Sequence, residues 1–203
     1  MSAGGKEEIL SRIRKALGPE RGKSGPIPRN YRQGGEKTRR EVLDLFVKRV
    51  SDYRASVLRC REEDLSHALA QAQARMASRR VAIPSDLPER WLTEIPVDDL
   101  VLLRDGEGDG GMRLSRGQLA SCYGVLTACA LGIAETGTLV LDGGPGQGRR
   151  ALSLLPDHHL CVVFSHQVVE TVPEAIRLME SKMNAHRRPY TLVSGPSATS
   201  DIE

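Results

Sequence analysis

Short, wholly apolar runs bounded by glycine or proline alternate along this chain with stretches of helical spacing, and that alternation narrows the possible architectures to an α/β fold. Leu139-Val140-Leu141, with Gly137 before it and Gly143-Gly144 after it, has the aliphatic, β-branched character of a buried strand turned tightly at both ends. Strands are predicted on the same grounds at residues 55–60, 80–84, 99–103, 123–127, 138–142, 159–164 and 190–193. Helical spacing appears at residues 38–53 (Val42, Leu45, Phe46, Val50), at 62–78 (Leu65, Leu69, Ala72, Met76) and at 172–186, where Pro173 opens the helix and Ala175, Ile176, Met179 and Met183 share a face. Residues 87–93 and 151–155 are long enough for single helical turns. The expected product is a largely parallel sheet covered on both faces, with a core of Leu, Val, Ala and Ile, since aromatics are only 3% of the residues.

Glu135 lies in the small-residue turn Ala134-Glu135-Thr136-Gly137, which opens directly into the 138–142 run. That is the mouth of the expected sheet, where open α/β folds gather their ligands, although a solvated turn residue occupies the same kind of position. After the run, Gly143-Gly144-Pro145-Gly146-Gln147-Gly148-Arg149-Arg150 offers backbone amides and two guanidinium groups, so it reads either as an anion-binding loop or as a mobile basic connection. It has neither the Lys-Ser/Thr of a P-loop nor a G-x-G-x-x-G fingerprint. Ser194-Gly195-Pro196-Ser197 and the carboxylates Asp201 and Glu203 follow the 190–193 run, and they reach the side of the sheet that holds Glu135 if both segments follow parallel strands. The candidate site is therefore Glu135 as general base, with Thr136, Gly137, Gly144, Arg149, Arg150, Ser194, Gly195, Ser197, Asp201 and Glu203 as ligand-binding groups. In it an arginine pairs with a substrate carboxylate.

Cys60, Cys122, Cys129 and Cys161 form no C-x-x-C pair and no zinc-like spacing, so free thiols are expected and no metal is assigned to this chain. His158 and His159 stand beside Cys161, but the alternation His159, Cys161, Val163 is that of strand packing. No serine elbow or Cys/His catalytic signature is present. Residues 12–40 carry ten Lys or Arg against Glu20 and Glu36, a net +8, which leaves −5 for the rest of a chain whose total is +3. That segment is rich in Gly and Pro and reads as a tether or partner-docking arm. Nucleic-acid contact is the alternative, with few aromatics to stack bases. Ahead of it, residues 6–17 place Ile9, Ile13 and Leu17 on one face of a short amphipathic helix, to dock on a neighbouring surface or fold back. Two parts follow: residues 1–36 as helix and basic linker, and residues 37–203 as one α/β domain. With no membrane span and no secretion signal in view, the chain is expected to be cytoplasmic.

Three segments in order carry a resemblance: Gly132-Ile133-Ala134-Glu135-Thr136-Gly137-Thr138-Leu139-Val140-Leu141, then 148–160 from Gly148-Arg149-Arg150 to His158-His159-Leu160, then 194–203. Together they resemble the lactate utilization protein C family, whose members carry a LUD domain, over roughly residues 37–203. The resemblance implies a three-layer Rossmann-like fold similar to the ribose-phosphate isomerase and coenzyme A transferase group. It implies a further strand after the 194–203 motif, so the domain's C-terminal strand is expected to be missing here. It also implies a role as non-cluster subunit of a cytoplasmic system that oxidises L-lactate to pyruvate, as a small-carboxylate pocket or a scaffold. The iron–sulfur clusters of such a system are expected in cysteine-rich partner subunits, with no cofactor on this chain. An alternative from fold analogy is a stand-alone enzyme acting on a phosphorylated or coenzyme A-linked small molecule, with Glu135 as carboxylate nucleophile.

Overall fold

The computed structural model describes residues 3–18, 28, 30–76, 80–96, 100–106, 112–186 and 188–195. The chain divides into two units, Met1–Arg32 and Gln33–Glu203. The first contains helix α1 (Ala3–Leu17), on which Ile9, Leu10, Ile13 and Leu17 are all exposed and an Arg12–Glu8 pair one turn apart lies on the polar side. Of the basic segment that follows, residues 19–27 and 29 lie outside the described residues.

In chain order the second unit runs α2 (Arg39–Asp52), α3 (Leu65–Ala74), β1 (Arg80–Pro84), β2 (Val101–Asp105), α4 (Arg116–Ala120), β3 (Gly124–Ala128), β4 (Leu131–Ile133), β5 (Thr138–Leu141), α5 (Ala151–Leu154), β6 (His158–Val162), β7 (Val168–Val169), α6 (Val172–His186) and β8 (Thr191–Val193). These strands form two sheets. The first has the order β2-β1-β3-β6 and is parallel throughout. Alternation along its strands feeds two cores: Val81, Ile83, Leu126 and Val162 pack with Leu69 of α3 and with Trp91, while Ala82 and Val125 pack with Leu119 of α4 and Leu152 of α5. Helices thus cover both faces, and this half is the three-layer α/β arrangement expected from the apolar runs.

The second sheet, β7-β4-β5-β8, is mixed. β4 and β5 form an antiparallel hairpin, β8 adds antiparallel to β5, and β7 adds parallel to β4. It too is sandwiched, with Leu131, Ile133 and Val140 against Ala175 and Met179 of α6, and Ala134, Leu139 and Val168 against Val42 and Phe46 of α2. Gly132 is glycine for a packing reason, because a Cβ there would stand 2.9 Å from the Phe46 ring.

Two strand expectations are corrected. The runs at 138–142 and 190–193 belong to this second, antiparallel pairing and not to the parallel sheet. Residues 55–60 form no strand: Val57 and Leu58 stay exposed, and Arg59 leaves the run to pair with Asp44 at 2.7 Å. An apolar run becomes a strand only where a partner strand offers hydrogen bonds, and this one meets none.

Candidate functional site

Glu135 occupies the four-residue turn that closes the β4–β5 hairpin, between the paired Ile133 and Thr138. The turn is held from three sides. Ala134 N and Glu135 N donate to the carbonyls of Val169 and Glu170 at 2.9 and 3.0 Å, and Tyr53 Oη, just past α2, donates to the Thr136 carbonyl at 3.1 Å. Within it, Thr136 Oγ1 lies 2.6 Å from Thr138 Oγ1, which lies 2.7 Å from Ser194 Oγ. The result is a chain of three hydroxyls along the edge of the turn, with the Glu135 side chain exposed beside it.

Antiparallel pairing is what assembles this cluster. Thr138 begins β5 whereas Ser194 follows the end of β8, and the register Leu139↔Val193 sets them side by side. Had β5 and β8 run parallel, Thr138 and Ser194 would lie at opposite ends of the sheet. Gly195 continues past Ser194 with φ +87° against the Tyr53 ring. Glu135, Thr136, Gly137, Ser194 and Gly195 therefore come together at one end of the second sheet, while Ser197, Asp201 and Glu203 lie outside the described residues.

Gly144, Arg149 and Arg150 follow the other end of β5, three residue rises or about 10 Å further along the strand. Their loop crosses the C-terminal edge of the parallel sheet. Gly146 O accepts from Ala128 N at 2.7 Å and Gly146 N donates to Asp86 Oδ2 at 2.9 Å. Gly144 N donates to Asp142 Oδ1 at 2.9 Å, so these two amides already face carboxylates of the protein. Arg149 forks onto Asp105, with Nε to Oδ2 at 2.8 Å and Nη2 to Oδ1 at 3.0 Å, and also donates to the Leu114 carbonyl. Arg150 is exposed.

A cationic groove borders Glu170, and its Lys37, Arg39 and Arg177 were not among the candidate site residues. Glu170, whose carbonyl receives Glu135 N, is a buried carboxylate that accepts from Lys37 N at 2.8 Å and Lys37 Nζ at 3.0 Å. It lines an open groove of about 470 Å³ together with Lys37, Arg39, Val168, Glu174 and Arg177. Nothing in the local sequence marked Glu170, because its burial depends on the segment before α2 folding across it. The neighbouring Thr171-x-x-Glu174 was readable as a helix start.

Among the described residues no three His, Cys, Asp or Glu groups converge to hold a metal ion, and no helix is long and apolar enough to cross a membrane. His158 stacks on Tyr123 with ring centroids 4.3 Å apart, and His166 stacks on Phe164 at 5.7 Å.

The LUD domain family model matches residues 36–203. Lactate utilization protein C of Deinococcus radiodurans is 39% identical over 202 residues, spanning 100% of this chain and 88% of that protein. The uncharacterized protein YkgG of Escherichia coli is 25% identical over 211 residues, covering 97% of this chain and 89% of its own length. Among solved structures, a DUF162 family protein from Deinococcus radiodurans superposes with a TM-score of 0.69 at 38% identity, covering 79% of this chain and 91% of that one.

Proposed function

Because this chain belongs to the LUD domain family, we propose that it serves lactate utilization as a cytoplasmic, non-cluster subunit of a system that oxidises L-lactate to pyruvate. Full-length similarity to a lactate utilization protein C carries the reading. Oxidation of a 2-hydroxy acid to a 2-oxo acid releases two protons and two electrons. In this proposal the electrons leave through cysteine-rich iron–sulfur partner subunits, and this chain supplies the site that receives the small carboxylate, or orders its partners around it.

The hydroxyl row Thr136, Thr138 and Ser194 offers donors and acceptors to a hydroxy acid at the hairpin end, with Glu135 beside it as general base. The arginine role is revised in one respect. Arg149 is already engaged by Asp105 and Lys37 by Glu170, so the cationic partner for a substrate carboxylate is assigned to Arg39 and Arg177 of the groove beside Glu170.

Reconstitution tests both levels. Lactate-dependent electron transfer by the partner subunits is measured with no added chain, with this chain, and with its Glu135→Gln variant. Activity that needs this chain and falls at least about a hundredfold with Glu135→Gln supports participation and the base. Activity that needs the chain but ignores Glu135→Gln leaves a scaffold, and activity independent of the chain overturns the proposal.

A further inference from the structure

Two thiols outside the hairpin site lie at neighbouring points of β3 and β6, Cys161 reaching the carbonyl of the residue before Cys129. Thr127 of β3 pairs with Cys161 of β6, and Val125 pairs with His159. Because side chains alternate along a strand, Val125, Thr127, His159 and Cys161 share one face, and Cys129 follows one residue past the end of β3. His159 Nε2 lies 2.8 Å from Thr127 Oγ1. Cys129 is held by Gln167, whose Nε2 donates to the Cys129 carbonyl at 2.9 Å and whose Oε1 faces Cys129 Sγ at 3.8 Å. Cys161 Sγ faces the Ala128 carbonyl at 3.9 Å. Cys129 is buried at 3% exposure, whereas Cys161 on the edge strand is a residue of intermediate burial.

Neither thiol has a part in the proposed lactate site, and one buried next to a half-buried one is the arrangement of an attacking and a resolving cysteine. We propose that Cys161 and Cys129 form a peroxide-sensitive dithiol, with Cys161 as the attacking sulfur and Cys129 as the resolving one. The Cys161 thiolate attacks one peroxide oxygen, the O–O bond breaks, and the departing hydroxide takes a proton to leave as water, giving a sulfenic acid. Cys129 sulfur then attacks Cys161 sulfur, the S–O bond breaks, and the hydroxyl leaves with the Cys129 proton as a second water. Two thiols lose two electrons, and one peroxide becomes two waters.

The electrostatics agree in direction. A hydrogen bond from Cys129, against an opposing push from burial and with further help from His159 and Thr127, lowers the Cys161 thiol to about 5. Cys129 is pushed up by holding the shared proton for Cys161, and further by burial and by the Cys161 and Asp142 charges. Cys60 serves as an internal comparison, exposed and raised by desolvation and by Asp64.

The test needs only the full chain. Reduced protein is alkylated between pH 6 and pH 9 and each cysteine is followed by peptide mass spectrometry. Cys161 is expected to label about tenfold faster than Cys60 at pH 6 and to change little above it, while Cys60 keeps rising with pH. Dilute hydrogen peroxide is expected to join the Cys129 and Cys161 peptides with loss of two hydrogens, reversibly by thiol reductant, and Cys129→Ser is expected to stop at a sulfenic acid trapped by a 1,3-dione. Cys161 labelling that tracks Cys60 with pH, or peroxide that oxidises Cys60 while Cys129 and Cys161 stay free, overturns the proposal even if the serine variant does not fold.

Discussion

Gly137 shows at the scale of one residue why the Glu135 turn has its shape. Its φ is +64°, and a Cβ there would stand 2.8 Å from Arg49 Cβ, 2.9 Å from the Arg49 carbonyl carbon and 3.0 Å from the Val50 nitrogen. Two of those atoms are helix backbone and cannot step aside, so Gly137→Ala combines backbone strain with displacement of α2. A loss of about 2 kcal/mol or more is expected, or about 4–8 °C in Tm for a chain of this size. Gly117 in α4 is the control, since a Cβ there meets nothing within 4 Å and alanine favours a helix. Should thermal melts of Gly137→Ala and Gly117→Ala coincide, the close approach of turn to helix is not what holds the turn. The need for a turn glycine was legible in Thr136-Gly137-Thr138, but Arg49 as its neighbour was not, because that contact joins residues far apart in sequence.

Among the elements, the start of α6 carries the clearest electrostatic signature. Thr171 and Glu174 form a reciprocal cap, Glu174 N donating to Thr171 Oγ1 at 3.4 Å and Thr171 N donating to Glu174 Oε2 at 2.9 Å. The same carboxylate accepts from Glu170 N and, across the chain, from Gly35 N, both at 3.0 Å. Burial alone would push the Glu174 carboxyl up, but the hydrogen bonds from Gly35, Thr171 and Glu170 outweigh it and hold the group below its ordinary value. A carboxylate with a depressed folded-state pKa contributes stability that is present above its unfolded value and is lost as pH falls through the folded one. Glu174→Gln is therefore expected to be less stable than wild type at pH 7, by about 1–2 kcal/mol, with the gap closing as pH drops below the usual carboxylate range. Urea titrations at pH 7 and pH 3 check this, and a gap that widens in acid contradicts it. Pro173 marked this helix in the sequence, whereas α4, capped by Ser115 and Gln118, was not picked out because it is too short to show a period. Strand direction was less visible, since an apolar run such as Leu139-Val140-Leu141 looks the same whether its partner runs with it or against it.

For the whole molecule the question is what binds one sheet to the other, and Arg149 provides a direct answer. It follows β5 of the mixed sheet and forks onto Asp105 at the end of β2 in the parallel one, while also holding the Leu114 carbonyl. The Asp105 side chain is 1% exposed and that of Arg149 is 31% exposed, so deleting the arginine strands a charge that water cannot reach. The alternation of apolar and helical stretches made the parallel half readable, but Arg149 looked like a ligand-binding group because its loop is basic and glycine-rich and its partner lies 44 positions away. Arg149→Ala is expected to lose about 3 kcal/mol, whereas the adjacent Arg150→Ala, exposed on the same loop, stays within about 0.5 kcal/mol of wild type. Removing both partners separates the two explanations. If the cost comes from an orphaned carboxylate, Arg149→Ala with Asp105→Asn recovers part of the loss of Arg149→Ala alone, because the neutral amide is cheaper to bury unpaired. Equal melting of Arg149→Ala and Arg150→Ala would instead mean that the fork between the sheets contributes nothing, and would return Arg149 to the pool of residues available to a ligand.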